Sequence, residues 1–512
     1  MVAAGHPLTA RAGAEALARG GSAVDAVVAA AFAAAAAETP LTGPGAGGFL
    51  LLRPAHGRAV LLDFFVSAPG LGPEGRPLDP ADLWAFTVPF GGADQVFHIG
   101  PASVAVPGMV PGLCRAAARY GRLPLPDLVA AGARIAREGV VVTEVTSYLH
   151  EILFDMLTAT PAAAALYAPE GRPVRPGERL VLPELADTLE EVGRRGERAL
   201  REGPLAEALV RHLQESGGHV TAEDLRAYEV VEREPLEVGY RDVLLLTNPP
   251  PSSGGVLIAA ALHALEERPP PAGDLAFYLA VAEAGRRANL LRGEPLMEEL
   301  HGEGFIERFW ARLAAARASR RPTGSTTHVS AIDPDGGMAS LSSSCGSGSG
   351  VVVPGTGILL NNMLGEEDLN PGGFGRWPAG ARMTSMMAPT LILRGGEPLA
   401  SLGSAGSNRL RSAILQTVTS LVDEGLPVAA AVARPRVHPE GDGLDVEGGV
   451  PEAVIAALAR DGHRIRRWEG TSLFFGGVSA VAVGPGGLEG AGDPRRGGAA
   501  AGVTRAGEVV EL

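Results

Sequence analysis

The sequence predicts a layered α/β fold built around one β-hairpin. The first observation is a stretch from 326 to 332 that is rich in β-branched residues and ends in the turn signal Asp333-Pro334-Asp335-Gly336-Gly337. The second is a loosely alternating apolar and polar stretch from 338 to 343, which fits the returning strand. The third is that helical patterns and short strands alternate along the chain. Such alternation is typical of sheets covered by helical layers.

The elements before the hairpin are mostly helical. In chain order we expect one or two helices over 7–38, strands over 49–53, 59–64 and 238–247, and helices over 127–137, 182–193, 205–214, 256–266 and 275–290. The strand over 238–247 is either single or a pair, and it ends at a run of three prolines. After the hairpin the chain is richer in strands, with one helix over 410–424.

Composition excludes several classes of protein. The formal net charge of −14, from 44 basic and 58 acidic residues, argues against nucleic acid and anionic membranes as partners. Two cysteines in 512 residues cannot form a disulfide framework. The histidines are scattered without a metal-binding spacing, and the glycine-rich 43–48 segment lacks the lysine of a phosphate-binding loop. We therefore expect neither a metal nor a cofactor.

The sequence shows no pattern for export or membrane insertion. Residues 1–6 lack a basic segment followed by a long apolar one. The alanine-rich run from Ala26 to Ala37 is too short to span a bilayer and fits a buried helix. We expect a cytoplasmic protein without a membrane partner, although a missing upstream signal stays an open alternative.

The start of the predicted hairpin fits a concealed nucleophile. A threonine hydroxyl can be activated by a free α-amino group on the same residue, which acts as the general base. The pKa of an α-amine is roughly 7.7–8.0, so the group is partly neutral near pH 7. Cleavage of the Ser325–Thr326 bond would create this amine on Thr326. On this segment alone, the simpler interpretation is the start of an ordinary strand.

Nine short motifs, spread over nearly the whole chain, favour the nucleophile. They are His6-Pro7-Leu8, Gly20-Gly21-Ser22-Ala23-Val24-Asp25-Ala26, Gly43-Pro44-Gly45-Ala46-Gly47-Gly48-Phe49, Ser103-Val104-Ala105-Val106-Pro107-Gly108, Pro250-Pro251-Ser252-Ser253-Gly254-Gly255, Gly357-Ile358-Leu359-Leu360-Asn361-Asn362, Met386-Met387-Ala388-Pro389-Thr390, Phe475-Gly476-Gly477-Val478 and Asp493-Pro494-Arg495-Arg496-Gly497-Gly498. In order and spacing they resemble the γ-glutamyltranspeptidase (glutathione hydrolase) family of N-terminal-nucleophile enzymes. The resemblance implies a four-layer αββα sandwich made as a self-cleaving precursor. Residues 1–325 would form the large subunit and 326–512 the small one, together one structural unit; whether two such units form a homodimer stays open.

The same resemblance implies the catalytic residues. Thr326 would be both nucleophile and base, and the backbone amides of Gly406 and Ser407 would form the oxyanion hole, with Ser407 where relatives often have a second glycine. Without the resemblance, that loop is an ordinary strand-to-helix turn. A hydroxyl that orients the nucleophile would come from Ser342 or Ser344, between which the sequence does not decide.

Three further positions correspond to substrate-binding residues of the family. Thr384 and Ser385 resemble a serine pair that holds the α-carboxylate of the γ-glutamyl group, and hydroxyls suit a carboxylate as donors. Glu366 stands where relatives carry an acid for the substrate α-ammonium. Read in isolation, the first two are exposed loop hydroxyls and the third is a solvated acidic turn.

Two departures from the family concern substrate recognition. Phe65 stands where relatives have an arginine that binds the glutamyl carboxylate, and a phenyl ring cannot replace a bidentate cation. Cys345 or Gly346 stands where an asparagine is usual. If another cation holds the carboxylate, Arg382 is the first candidate.

Three functions remain in competition. The first is hydrolysis or transfer of a γ-glutamyl group from an amide such as glutathione, through an acyl-enzyme on Thr326. The second is an acylase of the same superfamily, similar to cephalosporin acylases, which Phe65 favours and which Glu366, Thr384 and Ser385 oppose. The third is a non-catalytic binding relative, which the intact Thr326 opposes.

Overall fold

The computed structural model describes residues 1–89, 94–291, 296, 299–302, 304–312, 326–370 and 372–512. Two β-sheets lie face to face at its centre, and helices pack on the outer side of each sheet. This confirms the predicted four-layer αββα sandwich. The predicted polar loop 319–325, including Ser325 of the proposed cleavage site, lies outside the described residues.

The larger sheet has eight strands, each antiparallel to its neighbours. In spatial order they are Val509–Glu511, Ala499–Val503, Val2–Ala4, Thr327–Ile332, Met338–Ser344, Gly47–Arg53, Val60–Phe64 and Val231–Arg233. The predicted hairpin forms its two central strands, with Thr327 opposite Ser343 and Ile332 opposite Met338. Val2–Ala4 lies between strands that follow position 326, and the other three earlier strands continue the sheet beyond the hairpin, so the two segments are interleaved.

The smaller sheet has six antiparallel strands. In spatial order they are Gly487–Gly492, Gly477–Gly484, Glu397–Ala405, Thr390–Arg394, Val243–Thr247 and Leu236–Tyr240. The stretch predicted as one strand or two is therefore a pair. The remaining short strands lie outside both sheets: Trp84–Pro89, Asp94–Ile99, Val140–Val141, Arg179–Leu180, Val352–Val353, Ile358–Leu359, Val437–Glu440, Gly443–Val446 and Arg464–Arg467.

The helices divide between the two sheets. Those before the smaller sheet's first strand are Pro7–Ala18, Ala23–Ala37, Met109–Tyr120, Leu125–Glu138, Glu144–Ile152, Phe154–Leu157, Pro161–Tyr167, Pro183–Arg195, Arg198–Arg201, Pro204–Ser216 and Ala222–Ala227. Most of their buried apolar side chains share one core with the larger sheet, whereas Leu149 belongs to a small separate cluster. The later helices are Ser253–Glu266, Gly273–Leu291, Phe305–Arg312, Arg409–Val422, Val428–Ala433 and Glu452–Arg460. Most of these pack against the smaller sheet.

One helix positions a charged residue near the centre of the molecule. Ala23–Ala37 begins with a capping box in which Ser22 accepts a hydrogen bond from the Asp25 amide and Asp25 accepts one from the Ser22 amide. Every residue of the helix is buried, as its alanine-rich sequence predicts. Glu38 follows directly at its C-terminal end and is itself buried. Its carboxylate accepts a hydrogen bond from the Thr327 hydroxyl at the start of the central strand.

The space between the sheets is apolar in part and polar near the central hairpin. His328 contacts three hydroxyls. Its Nδ1 lies 2.8 Å from Ser342 Oγ, and its Nε2 lies 3.0 Å from Ser330 Oγ and 3.4 Å from Ser340 Oγ. Burial lowers the pKa of His328 to about 3, so the ring is neutral. Gly403 on the facing sheet leaves room for this ring, because a Cβ there would lie 2.3 Å from His328 Cε1. Thus His328, two residues from Thr326, belongs to the structural core.

Within the described residues, the length and apolarity that a membrane-crossing helix requires are not met by any helix.

Candidate active site

Thr326 lies at a junction between two cavities. It precedes the central strand Thr327–Ile332, and only 4% of its surface is exposed. The first, which we call the Phe65 cavity, is lined by Phe65, Thr326, Ser344, Gly346, Met363, Glu366, Asp368, Leu369, Ser385, Met386, Met387, Ser407 and Leu410. The second, the Arg496 cavity, has Gly5, His6, Glu38, Thr326, Thr327 and Arg496 among its lining residues.

The Phe65 cavity brings together most of the residues that the sequence singled out. Thr326 shares it with Phe65, Ser344, Glu366, Ser385 and Ser407. Gly406 and Thr384 do not line the cavity. Each directly precedes, in the sequence, a residue that does: Ser407 and Ser385 respectively. The Thr384 hydroxyl donates to the carbonyl of Pro251 at 2.6 Å, and Ser385 Oγ accepts from the amide of Met387 at 3.1 Å.

The turn at Gly406 and Ser407 has an unusual backbone. It joins the strand Glu397–Ala405 to the helix Arg409–Val422, and both of its residues have positive φ, of 110° and 53° respectively. Gly406 is required by close packing, since a Cβ there would lie 2.6 Å from the Cα of Gly476. For Ser407, the left-handed conformation costs roughly 1–2 kcal/mol. Local strain of this kind is often found at functional sites.

The structure separates the two serines that the sequence left as alternatives. Ser342 points between the sheets, where its hydroxyl contacts His328 Nδ1 at 2.8 Å. Ser344, two residues later on the same face of the strand, lines the Phe65 cavity with Thr326, and its Oγ accepts from the Gly346 amide at 2.8 Å. Only Ser344 therefore shares a cavity with Thr326.

Glu366 is a buried carboxyl group in the wall of the Phe65 cavity. Its Oε1 accepts a hydrogen bond from the Ser347 amide at 3.2 Å. Burial raises the pKa of Glu366 to about 8, and the neighbouring Asp368 adds to the rise; the Ser347 amide, the Asn362 side chain and Arg409 oppose it. At neutral pH the carboxyl group is largely protonated in the unliganded protein. A cation brought into the cavity would favour its ionised form.

Phe65 makes one wall of this cavity apolar. Its ring stacks on that of Phe49 with centroids 5.5 Å apart, and only 1% of the residue is exposed. Arg382, the candidate substitute cation, lies on the other side of this segment and is not a lining residue of the cavity. Its guanidinium donates to the carbonyls of Phe65 and Glu229 and to the Tyr228 hydroxyl. Arg382 thus supports the Phe65 backbone.

Of Cys345 and Gly346, the two candidates for the position of the usual asparagine, Gly346 is the one that lines the Phe65 cavity. A Cβ at Gly346 would lie 2.0 Å from Asn362 Oδ1 and 2.8 Å from Glu366 Oε1. Asn362 itself accepts from the Ser347 amide at 3.0 Å and donates to Ser347 Oγ at 2.9 Å. The sequence analysis quoted Asn362 only as part of a motif, but this asparagine occupies the space that the glycine leaves beside Glu366.

The sequence analysis missed the residues of the Arg496 cavity. Arg496 was named only as part of a motif and Glu38 was not named, and the two residues lie far apart in the sequence. Burial raises the pKa of Glu38, while it lowers the pKa of Arg496 to about 10 and that of His6 to about 4. One sequence signal was Glu38, which directly follows an apolar run; a helix that is apolar all round is buried, so an acid at its end lies near the core.

Comparison with known proteins agrees with this geometry. The family model described as gamma-glutamyltranspeptidase matches residues 9–503. The acylase ACY 1 proenzyme of Pseudomonas sp. (strain SE83) is 33% identical, covering 95% of this chain and 90% of the relative. The glutathione hydrolase proenzyme of Escherichia coli (strain K12) is 30% identical, covering 97% and 90%.

A solved structure extends the likeness to the fold. The crystal structure of cephalosporin acylase from Bacillus halodurans superposes with a TM-score of 0.81 at 26% sequence identity, covering 99% of this chain and 95% of that one. Both relatives above are proenzymes, in keeping with a precursor that is processed into two subunits. The chain is therefore an N-terminal-nucleophile enzyme of the gamma-glutamyltranspeptidase family.

Proposed function

We propose that the chain cleaves its own Ser325–Thr326 bond and then hydrolyses or transfers the acyl group of an amide through Thr326. The observation that carries this proposal is the position of Thr326 at the head of the central strand, in a cavity shared with Ser344, Glu366 and Ser407. Cleavage would give subunits of residues 1–325 and 326–512. Because Val2–Ala4 lies between later strands in the larger sheet, and Thr390–Arg394 pairs with Val243–Thr247 in the smaller one, the subunits would stay together.

The chemistry follows from the groups around Thr326. Its Oγ attacks the amide carbonyl carbon, and its freed α-amine accepts the hydroxyl proton. The backbone amides of Gly406 and Ser407 donate to the oxyanion that forms. The C–N bond then breaks, the α-amine passes the proton to the leaving amine, and an ester on Thr326 remains. Attack by water gives hydrolysis, and attack by a second amine gives transfer.

Ser344 is the residue we propose to orient the nucleophile. It shares the cavity with Thr326, and its own Oγ is held by the Gly346 amide. A hydroxyl fixed in this way can hold the threonine hydroxyl in an attacking rotamer. The assignment leaves Ser342 with its structural contact to His328.

A γ-glutamyl group is the first substrate candidate. Glu366 supplies an acid for the substrate α-ammonium, and Ser385 supplies a hydroxyl in the same cavity for its α-carboxylate. We keep Thr384 in this role as well, although it would have to give up its bond to Pro251. The relatives named glutathione hydrolases support this candidate.

An acyl group without an α-carboxylate is the second candidate, and Phe65 favours it. The cavity wall contains Phe65, Met363, Leu369, Met386 and Met387, and no arginine or lysine is among the described residues that line it. A substrate carboxylate would therefore find no cation there and would lack the two-pronged pairing that an arginine provides. The relatives named acylases support this second candidate.

A substrate panel tests the proposal and separates the candidates. We would compare kcat/KM for glutathione, γ-glutamyl 4-nitroanilide and pentanoyl 4-nitroanilide, with Thr326→Ala as the inactive control. We expect all turnover to require Thr326 and the pentanoyl amide to compete with or exceed the γ-glutamyl one. Efficient glutathione hydrolysis with poor pentanoyl turnover would overturn the acylase candidate. Turnover by Thr326→Ala would overturn the mechanism.

A further inference from the structure

Two arginine side chains lie close to the turn formed by Gly406 and Ser407. Arg409, two residues after Ser407, is the first residue of the helix Arg409–Val422, and only 5% of its surface is exposed. Arg496 approaches the turn from the C-terminal part of the chain, since a Cβ at Gly406 would lie 3.6 Å from its Nη2. The amides that we propose as oxyanion donors therefore lie beside two cations.

The two guanidinium groups are held by neighbouring carbonyls. Arg409 Nε donates to the Phe474 carbonyl at 3.1 Å, and its guanidinium carbon lies 4.6 Å from the centroid of the Phe474 ring. Arg496 Nη2 donates to the Leu473 carbonyl at 3.3 Å. Leu473 and Phe474 are consecutive in one short 3-10 helix, so the fold holds two like charges near each other. Such charges repel most strongly where little water screens them, and together they attract an anion.

The carboxylates around these arginines do not pair with them. Among the ion pairs of the described residues, none includes Arg409 or Arg496. Asp493 attracts Arg496, but its Oδ2 contacts Arg436 at 2.6 Å and its Oδ1 contacts Arg495 at 3.1 Å. The charge of Asp493 is thus shared with other cations.

Burial acts differently on the nearby acids and on the two arginines. It raises the pKa of Glu38, and it raises the pKa of Glu366 to about 8, so these carboxyl groups carry less charge than they would in water. Burial lowers the pKa of Arg409 to about 10 and that of Arg496 to about 10, and the like charge of Arg409 adds to the fall for Arg496. Both arginines therefore stay protonated at neutral pH.

We propose that Arg409 and Arg496 provide a positive field at the acyl-transfer site, which stabilises the oxyanion and keeps the α-amine of Thr326 unprotonated near neutral pH. This inference rests on the proposed function. Attack on the amide puts negative charge on the carbonyl oxygen beside Gly406, where nearby cations favour it. The proton that the α-amine takes up is repelled by the same cations, which favours its transfer to the leaving amine. The arginines act through their field and need not touch the substrate.

The test compares variants that remove the charge with variants that keep it. Arg409→Gln and Arg496→Gln each lose a positive charge, whereas Arg409→Lys and Arg496→Lys retain it. Arg505→Gln is the control for an exposed positive charge outside both cavities. We would measure kcat and KM from pH 5 to pH 9 for pentanoyl 4-nitroanilide, whose leaving group is uncharged. If only γ-glutamyl 4-nitroanilide is cut, it is used in the Glu366→Gln background.

Other titratable groups have to be separated from the α-amine in these profiles. Those that line the two cavities, apart from Arg496, are His6, Glu38, His328, Glu366, Asp368 and Asp493. His6 and His328, with pKa values of about 4 and about 3, do not titrate in this range. Glu38→Gln, Glu366→Gln and Asp368→Asn should each retain the rise of kcat/KM with pH, because the rise belongs to the α-amine.

We expect kcat/KM of the wild type to rise with pH through a midpoint below about 7.7, the lower end of the ordinary range for an α-amine. Each glutamine variant should move this midpoint up by roughly one pH unit, because a repelling charge has been removed. It should also lower kcat by roughly 10- to 100-fold with KM little changed, which is less than the roughly 10²- to 10³-fold cost of losing a direct oxyanion donor. The lysine variants and Arg505→Gln should keep the wild-type midpoint.

A wild-type midpoint of about 8 or higher overturns the inference without any variant, so poor folding of a glutamine variant cannot shelter it. An unshifted midpoint in either folded glutamine variant, an equal shift in its lysine counterpart, or a loss confined to KM overturns it too. Disappearance of the rise in Glu38→Gln, Glu366→Gln or Asp368→Asn assigns the titration to that acid and has the same consequence. Turnover that does not require Thr326 overturns the proposed function instead.

Discussion

The two cavities at Thr326 differ in how far their polar groups are already satisfied. In the Phe65 cavity, Glu366 accepts from the Ser347 amide and Ser385 accepts from the Met387 amide, and much of the wall is apolar. In the Arg496 cavity, polar atoms of Arg496, Glu38 and His6 remain without partners among the described residues. One side of the nucleophile is thus suited to neutral groups, and the other to charged ones.

The two halves of an amide can therefore be selected by different physical means. Apolar walls select by shape and by the cost of burying charge. Unpaired buried donors select by rejecting a ligand that cannot pair them. Both cavities also combine residues from before and after position 326: Phe65 with Glu366, and Glu38 with Arg496. Each cavity is therefore intact after self-cleavage only if the two pieces stay together.

Replacing Thr326 should have the largest effect, because it removes the residue that both cavities share. Thr326→Ala should remain one chain of 512 residues and lose at least about 10³-fold in activity, as expected for a missing nucleophile. A denaturing gel measures the first result. N-terminal sequencing of the smaller wild-type fragment should read Thr-Thr-His-Val.

A matched control is Thr326→Ser, which keeps both a hydroxyl and, after cleavage, an α-amine. It should still cleave itself, more slowly. If folded wild-type protein stays in one piece, or the fragment begins at another residue, the nucleophile assignment is wrong.

Introducing a cation at Phe65 should have the second-largest effect. Phe65→Arg restores the group that relatives use for the glutamyl carboxylate and should shift preference towards γ-glutamyl 4-nitroanilide over its pentanoyl analogue. Truncating a buried charge pair costs on the order of 2–5 kcal/mol, so the ratio of kcat/KM values should change by roughly 30-fold or more. Phe65→Met is the control, since it keeps the site uncharged. An unchanged ratio in Phe65→Arg would mean that another cation holds the carboxylate.

Local patterns predicted the part of the site that lies on continuous elements. The β-branched run, the aspartate-glycine turn and the alternating return strand are short-range signals, and they give the hairpin that carries Thr326 and Ser344. The glycine at 406 likewise marks the positive-φ turn before the helix. Resemblance then supplied the four layers, which no local pattern determines.

The other features of the site depend on long-range packing, which the sequence does not show. Glu38 meets Thr327 across 289 positions of sequence, and Arg496 reaches the same cavity from near the C-terminal end. Arg382 was a reasonable cation by its closeness to Thr384, but its direction depends on Tyr228 and Glu229 in a distant segment. No pattern within a window of sequence encodes such encounters, so the Arg496 cavity could be found only in the structure.

The protonation of Glu366 should separate the two substrate candidates by up to about 50-fold, because a group with a pKa of about 8 is about 1% ionised at pH 6 and half ionised at pH 8. Its pKa of about 8 means that it becomes an anion for the substrate α-ammonium only as the pH rises. The kcat/KM ratio of γ-glutamyl to pentanoyl 4-nitroanilide should therefore increase from pH 6 to pH 8. Taking the ratio cancels the titration of the Thr326 α-amine, which both substrates need. Glu366→Gln should give a flat ratio; the same slope in this variant would assign the effect to another group.

Stability gives an independent measurement on Glu366. Its pKa in the folded protein lies above the ordinary 4.5, so the native state binds more protons than the unfolded state between about pH 4.5 and pH 8. Stability should fall through this window as the pH rises, by at most about 1.4 kcal/mol per pH unit. Glu366→Gln should lose less stability than wild type between pH 5 and pH 8 in thermal unfolding. A parallel decline in both proteins would contradict the raised pKa.

Ser407 should show the smallest effect, because its proposed contribution comes from the backbone. Ser407→Gly keeps the amide, and glycine adopts the φ of 53° without steric cost, so kcat/KM should stay within about twofold of wild type. Relief of strain and the greater chain entropy of glycine oppose each other, so stability should change by less than about 1 kcal/mol. Ser407→Ala keeps the strain and removes only the hydroxyl, and it should match wild type equally well. A loss of tenfold or more in both variants would show that the hydroxyl itself serves Thr326, and that the Phe65 cavity holds its oxyanion with a side chain.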